Sequence, residues 1–155
     1  MGLDMYLFRR VFVGAEYEHR EVTGVIDIRS KGEKIDIDLR KVSRVDEQIA
    51  YWRKANAIHW WFVENLADGV DDCKPVFVSP GDLVKLRELC RSILSEHAGE
   101  QRNRKAMELL PPHDGFFFGS TKTDDWYYED LKYTVEVLDG ISADDYDEYV
   151  YEASW

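Results

Sequence analysis

The run Tyr51-Trp52-Arg53-Lys54-Ala55-Asn56-Ala57-Ile58-His59-Trp60-Trp61-Phe62-Val63 decides how this chain is read, because its polar residues fall where a plain amphipathic helix would be apolar. At about 100° per residue, Val45, Ile49, Trp52, Val63 and Leu66 line one stripe, with Asn56 and His59 in its middle. Trp61 points the opposite way. Ser43, with Asp46 three residues on, has the form of a capping box, so the spacing predicts one long helix from 43 to about 66. Local rules are broken mostly at functional or strained sites, which makes this segment the first place to look for a function.

On the N-terminal side, residues 3–13 form a mixed apolar run with β-favouring Tyr6, Phe8, Val11, Phe12 and Val13, and read as a strand. Segments 22–29 and 34–40 flank Ser30-Lys31-Gly32-Glu33, a gap suited to a hairpin. In the second of them Ile35, Ile37 and Leu39 alternate with Lys34, Asp36, Asp38 and Arg40, the pattern of a sheet solvated on one side.

On the C-terminal side, Pro75-Val76-Phe77-Val78 reads as a short strand. Ser79-Pro80-Gly81-Asp82 then combines an N-cap, proline at the first helical position and an acid in the first turn. Leu83, Leu86, Cys90, Ile93, Leu94 and His97 give that helix its apolar face, and the polar stretch 99–105 ends it. Pro111-Pro112 stops any helix, and residues 113–121 read as a turn or short strand. Thr123, followed by Asp124 and Asp125, caps a helix to about Leu138 with Tyr127, Tyr128, Leu131, Val135 and Leu138 inward. From Gly140 acids alternate with Tyr146, Tyr149, Val150, Tyr151 and Trp155, so 140–155 is either a packed last element or an acidic arm. Strands first and helices later give one α+β domain over 1–155: an antiparallel sheet from the N-terminal third, packed on one face by about three helices.

A chain of 155 residues buries about 68–70 % of the surface its unfolded form exposes. Hydrophobic content of 45 % and aromatic content of 14 % argue against disorder. The net charge is −11, and residues 106–155 carry all of it, with 13 acidic and 2 basic side chains against 18 of each before them. Such a region repels nucleic acid and anionic membranes and attracts a basic protein surface. Cys73 and Cys90 have neither CxxC spacing nor a matching His pair, so they read as reduced, buried and inert rather than as a metal site or disulfide framework. The order of charge and apolar residues at the N-terminus is the reverse of a secretory signal, and no apolar run approaches about 20 residues. The expectation is a cytoplasmic protein.

The blocks MGLDMYL (1–7), YWRKANAIHWWFV (51–63) and GFFFGST (115–121), in that order, resemble small proteins of unknown function encoded by bacteriophages and prophages. The resemblance implies a bacterial or phage cytosolic setting and brings no activity or catalytic residue with it.

Several constellations are candidates for chemistry. Trp52, Asn56, His59 and Trp60 are neighbours at helical spacing, and an amide and an imidazole between indoles suit a planar polar ligand such as a nucleobase. The alternative is a buried Asn and His satisfied by nearby backbone. His59 as a general base needs a partner that the sequence does not name. There is no GxSxG elbow and no Cys-His signature, so no catalytic residue is assigned, nor any cofactor. Trp61 on the wet face is an anchor for a partner, or a sign that the helix is covered on both sides. The 115–121 loop lacks phosphate-loop spacing, and Asp124 and Asp125 place negative charge there, so Gly115 and Gly119 read as permitting tight backbone geometry. His113, Asp114, Asp124, Asp125 and Glu129 show no metal-ligand spacing, and the acids in the helix's first turn read as dipole partners. Asp144, Asp145, Asp147 and Glu148 either meet a basic groove or solvate an edge.

Two functions remain open. One is a phage accessory protein binding a basic host protein, without catalysis, through Trp61, Asp144, Asp145, Asp147 and Glu148. The other is a small-ligand, nucleotide-like binding or sequestering protein, or a hydrolase, centred on Trp52, Asn56, His59 and Trp60.

Overall fold

The computed structural model describes residues 2–13, 27–38, 41–115 and 118–155. The elements run β1 (Asp4–Phe12), β2 (Arg29–Ser30), β3 (Glu33–Lys34), β4 (Arg44–Arg53), α1 (Asn56–Leu66), β5 (Val76–Val78), α2 (Pro80–Leu94), α3 (Glu100–Leu109), α4 (Asp125–Val137) and β6 (Glu148–Ser154). Four strands form an antiparallel sheet in the order β4-β1-β6-β5, and β2 pairs with β3 in a separate hairpin. The fold is α+β, as the element pattern predicts.

The long helix over 43–66 is not formed. Residues 44–53 are a strand paired along β1, and only Asn56–Leu66 coils. The cause of the misleading periodicity is a bulge: Leu7 pairs with Ala50 and Phe8 with Gln48, leaving Ile49 without an opposite residue. One extra residue turns period-2 spacing into spacings of three and four, the signature of a helix. Asp46 and Glu47 are cross-strand ion partners of Arg10 (2.9 Å) and Arg9 (2.8 Å), so the Ser43/Asp46 pair caps nothing. At Lys54 the backbone turns through φ 60°, its N–H donates to the Leu3 carbonyl, and the helix starts two residues later.

Leu3, Met5 and Leu7 in the β1 segment, Ala50 and Trp52 on β4, and Tyr149, Tyr151 and Ala153 on β6 join one buried cluster with the apolar stripes of α1, α2 and α4. Phe62 stacks on Tyr151 at 3.9 Å between centroids, which seats α1 on β6. The Glu148–Ser154 segment is therefore a packed inner strand, the first of the two alternatives for the tail. On the other face Tyr6 lies against Phe8 and Tyr51, and Arg10 stands 6.0 Å from the centre of the exposed Phe77 ring.

Helix α2 begins as the sequence predicts: the Ser79 hydroxyl accepts from the Asp82 N–H, with Pro80 at the start, and Leu83, Leu86, Cys90 and Ile93 are buried. It ends at Leu94, so His97 is exposed. The cap of α4 is Asp124 rather than Thr123, and Thr134 takes the buried position expected for Val135. Helix α3 occupies the stretch read as a terminator. It buries only Ala106, so no apolar period marks it, and it is held by Lys105 to Glu96 (2.9 Å) and by the Tyr128 hydroxyl donating to Asn103 (2.6 Å). Past Lys34 the 34–38 alternation belongs to no strand, and Ile35 and Ile37 are exposed. Segments 22–26 and 39–40 lie outside the described residues.

The two readings of residues 44–53 separate in mutants. Leu7→Ala, fully buried on the β1 face beneath the helices, should cost about 2–5 kcal/mol in urea unfolding. Val45→Ala, exposed on β4, should cost under about 1 kcal/mol, whereas a core helix would make it expensive.

Candidate functional site

The polar residues that stand out in the sequence are buried, and the fold uses them. Asn56 opens α1 and is 4 % exposed. Its amide donates to the carbonyls of Phe118 (3.1 Å) and Ser120 (2.8 Å), and its carbonyl accepts the His113 N–H (3.1 Å). Both amide hydrogens are spent on main chain. Trp60 stacks on His113 at 3.6 Å and 2°, which pins the segment after Pro111-Pro112 to the helix a second time. Gly115 and Gly119 have physical reasons: a Cβ on Gly115 would meet the Phe118 ring at 2.2 Å, and Gly119 has φ +97° with Lys54 beneath it.

His59 is 1 % exposed. Its Nδ1 lies 2.7 Å from the Tyr151 hydroxyl and its Nε2 3.1 Å from the Asp71 carboxylate. Since a carboxylate only accepts, Nε2–H donates to Asp71 and Nδ1 accepts from the Tyr151 phenol. Burial lowers the imidazole pKa below its ordinary value, opposed by Asp71, and raises that of the Tyr151 phenol. Carboxylate, imidazole and hydroxyl are in series, but both ring-bearing members are buried. The adjoining void of about 20 Å³ has room for about one water. The chain is a structural relay joining the 71–73 loop, α1 and β6.

The predicted ligand quartet therefore does not converge. Trp52 is on β4, with its indole N–H donating to Thr134 (2.9 Å) and its ring against Phe62 and Tyr133. Asn56 and His59 are saturated within the core, the second of the two readings that the sequence leaves open. Trp61 is half-buried, edge-on to Phe62 at 5.3 Å, so it is no free anchor. The acidic group is dispersed as well: Asp147 lies 3.7 Å from Arg9, Asp145 accepts the Ser142 N–H, and Glu148 belongs to β6. Of the two cysteines, Cys90 is buried, with its thiol pushed up to about 12 by desolvation, whereas Cys73 is exposed, contrary to expectation. Among the described residues no three His, Cys, Asp or Glu side chains cluster as metal ligands.

The concave site includes Asn56 of the predicted quartet, but its other walls are residues the sequence did not join to it. A cleft of about 390 Å³ opens between the start of α1 and the first turns of α4. Its walls are Arg53 to Ile58, Gly119 and Ser120 from the clamped loop, Lys122 and Asp124, and Trp126, Tyr127, Asp130 and Leu131 along one side of α4. The volume is that of a small-molecule pocket.

The two helix starts at this cleft are opposite in character. The Asp124 carboxylate caps α4, accepting the Tyr127 N–H. Helix α1 follows Ala55, with no side-chain cap and no acid in its first turn, and the Ala57 and Ile58 amides have no acceptor among the described residues. Arg53, Lys54 and Lys122 line the same cleft as that bare start, and among the described residues none of the three forms an ion pair. Such an end favours negative charge.

Asp130 supplies the contrasting group. It is half-buried, and no described donor reaches its carboxyl. Desolvation first, then the charges of Asp124 and Glu129, push its pKa up to about 7. Trp126, one turn earlier on the same side of α4, is 80 % exposed. A perturbed carboxyl in a concavity beside an unused aromatic ring marks a functional candidate. Comparison of the chain with family models, with curated proteins and with solved structures finds no match. Among the described residues no helix is long and apolar enough to cross a membrane.

Two outcomes test this geometry. Asn56→Ala strands two carbonyls and one N–H, and should destabilise the protein by about 3 kcal/mol or more and speed amide exchange at His113. Asp130→Asn removes a carboxyl whose folded-state pKa is raised. The stability that the raised pKa confers is complete below the unfolded value near 4 and is lost as pH rises through about 7. The variant should therefore melt higher than the parent above pH 7, with the gap shrinking as pH falls toward 4.

Proposed function

We propose that this chain is a small-ligand binding or sequestering protein whose site is the α1–α4 cleft, and that its ligand is a planar molecule with an anionic group, of the nucleotide kind. The observation that carries the reading is the meeting, in one cleft of about 390 Å³, of Arg53, Lys54 and Lys122, the Asp130 carboxyl and the exposed Trp126 ring, the three cations without an ion pair and the carboxyl without a donor among the described residues. An anion at the bare α1 start answers the cations, a ring answers the indole, and a polar edge answers the carboxyl. The ligand reading thus keeps its chemistry but moves from the saturated Asn56 and His59 to the cleft that Asn56 holds in shape. The bacterial or phage cytoplasm as the setting is part of the proposal and rests on the three sequence blocks.

Docking of the acidic C-terminal third on a basic host protein has less support. Asp145 and Asp147 are already engaged within the chain, Glu148 lies on β6 and Trp61 is packed, while among the described residues Asp144 and the fully exposed Tyr146 have no side-chain partner.

A thermal-shift screen of mononucleotides tests the proposal. A ligand at 100 times its Kd should raise the unfolding free energy by about 2.7 kcal/mol. Reversing charge at Lys54 and Lys122 should abolish the shift, since both side chains are exposed in the cleft and neither forms an ion pair among the described residues. A screen in which no nucleotide raises the melting temperature contradicts the reading.

A further inference from the structure

The identity of the ligand's ring is written in the wall that carries Trp126 and Asp130. Resting on the cleft reading above, we propose that the site selects guanine-type nucleotides: the Asp130 carboxylate takes two adjacent N–H donors of the base, Trp126 stacks on the ring, and Lys54 and Lys122 hold the phosphate.

The argument begins with position. Trp126 and Asp130 stand at i and i+4 on α4, so indole and carboxyl share one side of the helix, and both line the cleft. The ring has a free face, being 80 % exposed, and base–aromatic stacking needs only such a face. Stacking alone does not choose a base. The carboxyl does, because an ionised carboxylate is an acceptor with two oxygens and no hydrogen to donate. Its complement is a pair of neighbouring N–H groups. Guanine has that pair, its ring N1–H and its exocyclic amino group, on one edge. Adenine has a donor beside an acceptor there, and hypoxanthine has the ring N–H alone. A second oxygen facing an acceptor, or nothing, forfeits a charge-assisted bond.

The opposite end of the site fixes the second half of the ligand. Lys54 leaves the β4–α1 junction with a left-handed backbone, and its stem rests on Gly119, where a Cβ would come within 3.2 Å of its own. Lys122, two residues ahead of the Asp124 cap of α4, lines the same cleft. Trp126 and Asp130 lie along α4 itself. The phosphate therefore goes to the lysines and the base to the α4 wall that carries Trp126 and Asp130.

The charge state of Asp130 gives the proposal a sign. Asp124 and Glu129 face it with negative charge, and Arg53, Lys54 and Lys122 share the cleft with positive charge. Desolvation and its acidic neighbours hold the free carboxyl at about 7. Two donated hydrogen bonds favour the ionised form, so guanine binding releases a proton and strengthens as pH rises through neutrality. A base offering an acceptor favours the neutral acid and shows the reverse.

Calorimetric titration of guanosine, inosine and adenosine 5′-monophosphates and of inorganic phosphate, at pH 6 and pH 8, decides the matter for the parent, Asp130→Asn and Trp126→Ala. At pH 8 the guanine nucleotide should bind the parent about tenfold tighter than the other two, and its advantage over the adenine nucleotide should be smaller at pH 6; the shared phosphate cancels in that ratio. Asp130→Asn, checked for folding by circular dichroism, should close the gap without weakening phosphate. Trp126→Ala should weaken all three nucleotides and leave phosphate unchanged. Equal or tighter binding of the adenine nucleotide, or a guanine preference that survives Asp130→Asn, overturns the base assignment while leaving the cleft reading intact. If neither phosphate nor any nucleotide binds, both are overturned.

Discussion

The side-chain amide of Asn56 is the constraint on which the site depends. One residue at the start of α1 holds the His113 N–H and the Phe118 and Ser120 carbonyls, all from a loop far along the chain. Asn56 itself is buried and the Phe118 bond lies inside the core, so leaving these main-chain groups unpaired would cost free energy. The amide satisfies them together, and the Trp60–His113 stack and the contact of Phe118 with His59 pack what it has positioned. Gly119, Ser120 and the turn into Lys122 are held in this way as a wall of the cleft. A residue that looks like a ligand contact in the sequence is instead what gives the ligand site its shape.

Charge in this molecule is best understood locally. The acidic excess of the C-terminal third is partly compensated within the fold, through Asp139 with Arg91, Asp147 with Arg9 and Glu129 with Lys132. Among the described residues the cations of the cleft have no such partners. A chain of net charge −11 repels an approaching anion at long range, but at physiological ionic strength that field decays within about 8 Å, and the nearest charges dominate inside the cleft. Three cations, Arg53, Lys54 and Lys122, and two carboxyls, Asp124 and Asp130, share one cleft in an acidic protein.

What could be read from the sequence followed from how local the determining interactions are. The start of α2 was legible because Ser79, Pro80 and Asp82 act on their own turn. Strand β4 was misread because one bulged residue, Ile49, imitates a helical period, and the bulge exists only against β1. Strand β6 was half-hidden: Asp147, Glu148 and Glu152 suggest a solvated edge, while Tyr149 and Tyr151 between them carry the burial. Helix α3 gave no signal because it buries a single side chain. Asn56 and His59 were correctly singled out as polar breaks in an apolar setting, but their partners, Ser120, Asp71 and Tyr151, are set by topology. The cleft residues come from two distant stretches, 53–58 and 119–131, and no motif spans them. The clues on either side were Asn56, which lines the cleft as well as clamping its loop, and Trp126, a large aromatic four residues from Asp130 on the wet side of an otherwise ordinary amphipathic helix.

The most direct test of the account is a two-dimensional nitrogen–proton spectrum of the five tryptophan indoles during titration with guanosine 5′-monophosphate. The account predicts that the Trp126 indole signal moves progressively to saturation while that of Trp52, whose N–H is buried on Thr134, stays in place. A Trp126 signal that remains fixed while the nucleotide binds and shifts other indoles would place the ligand elsewhere and contradict the account.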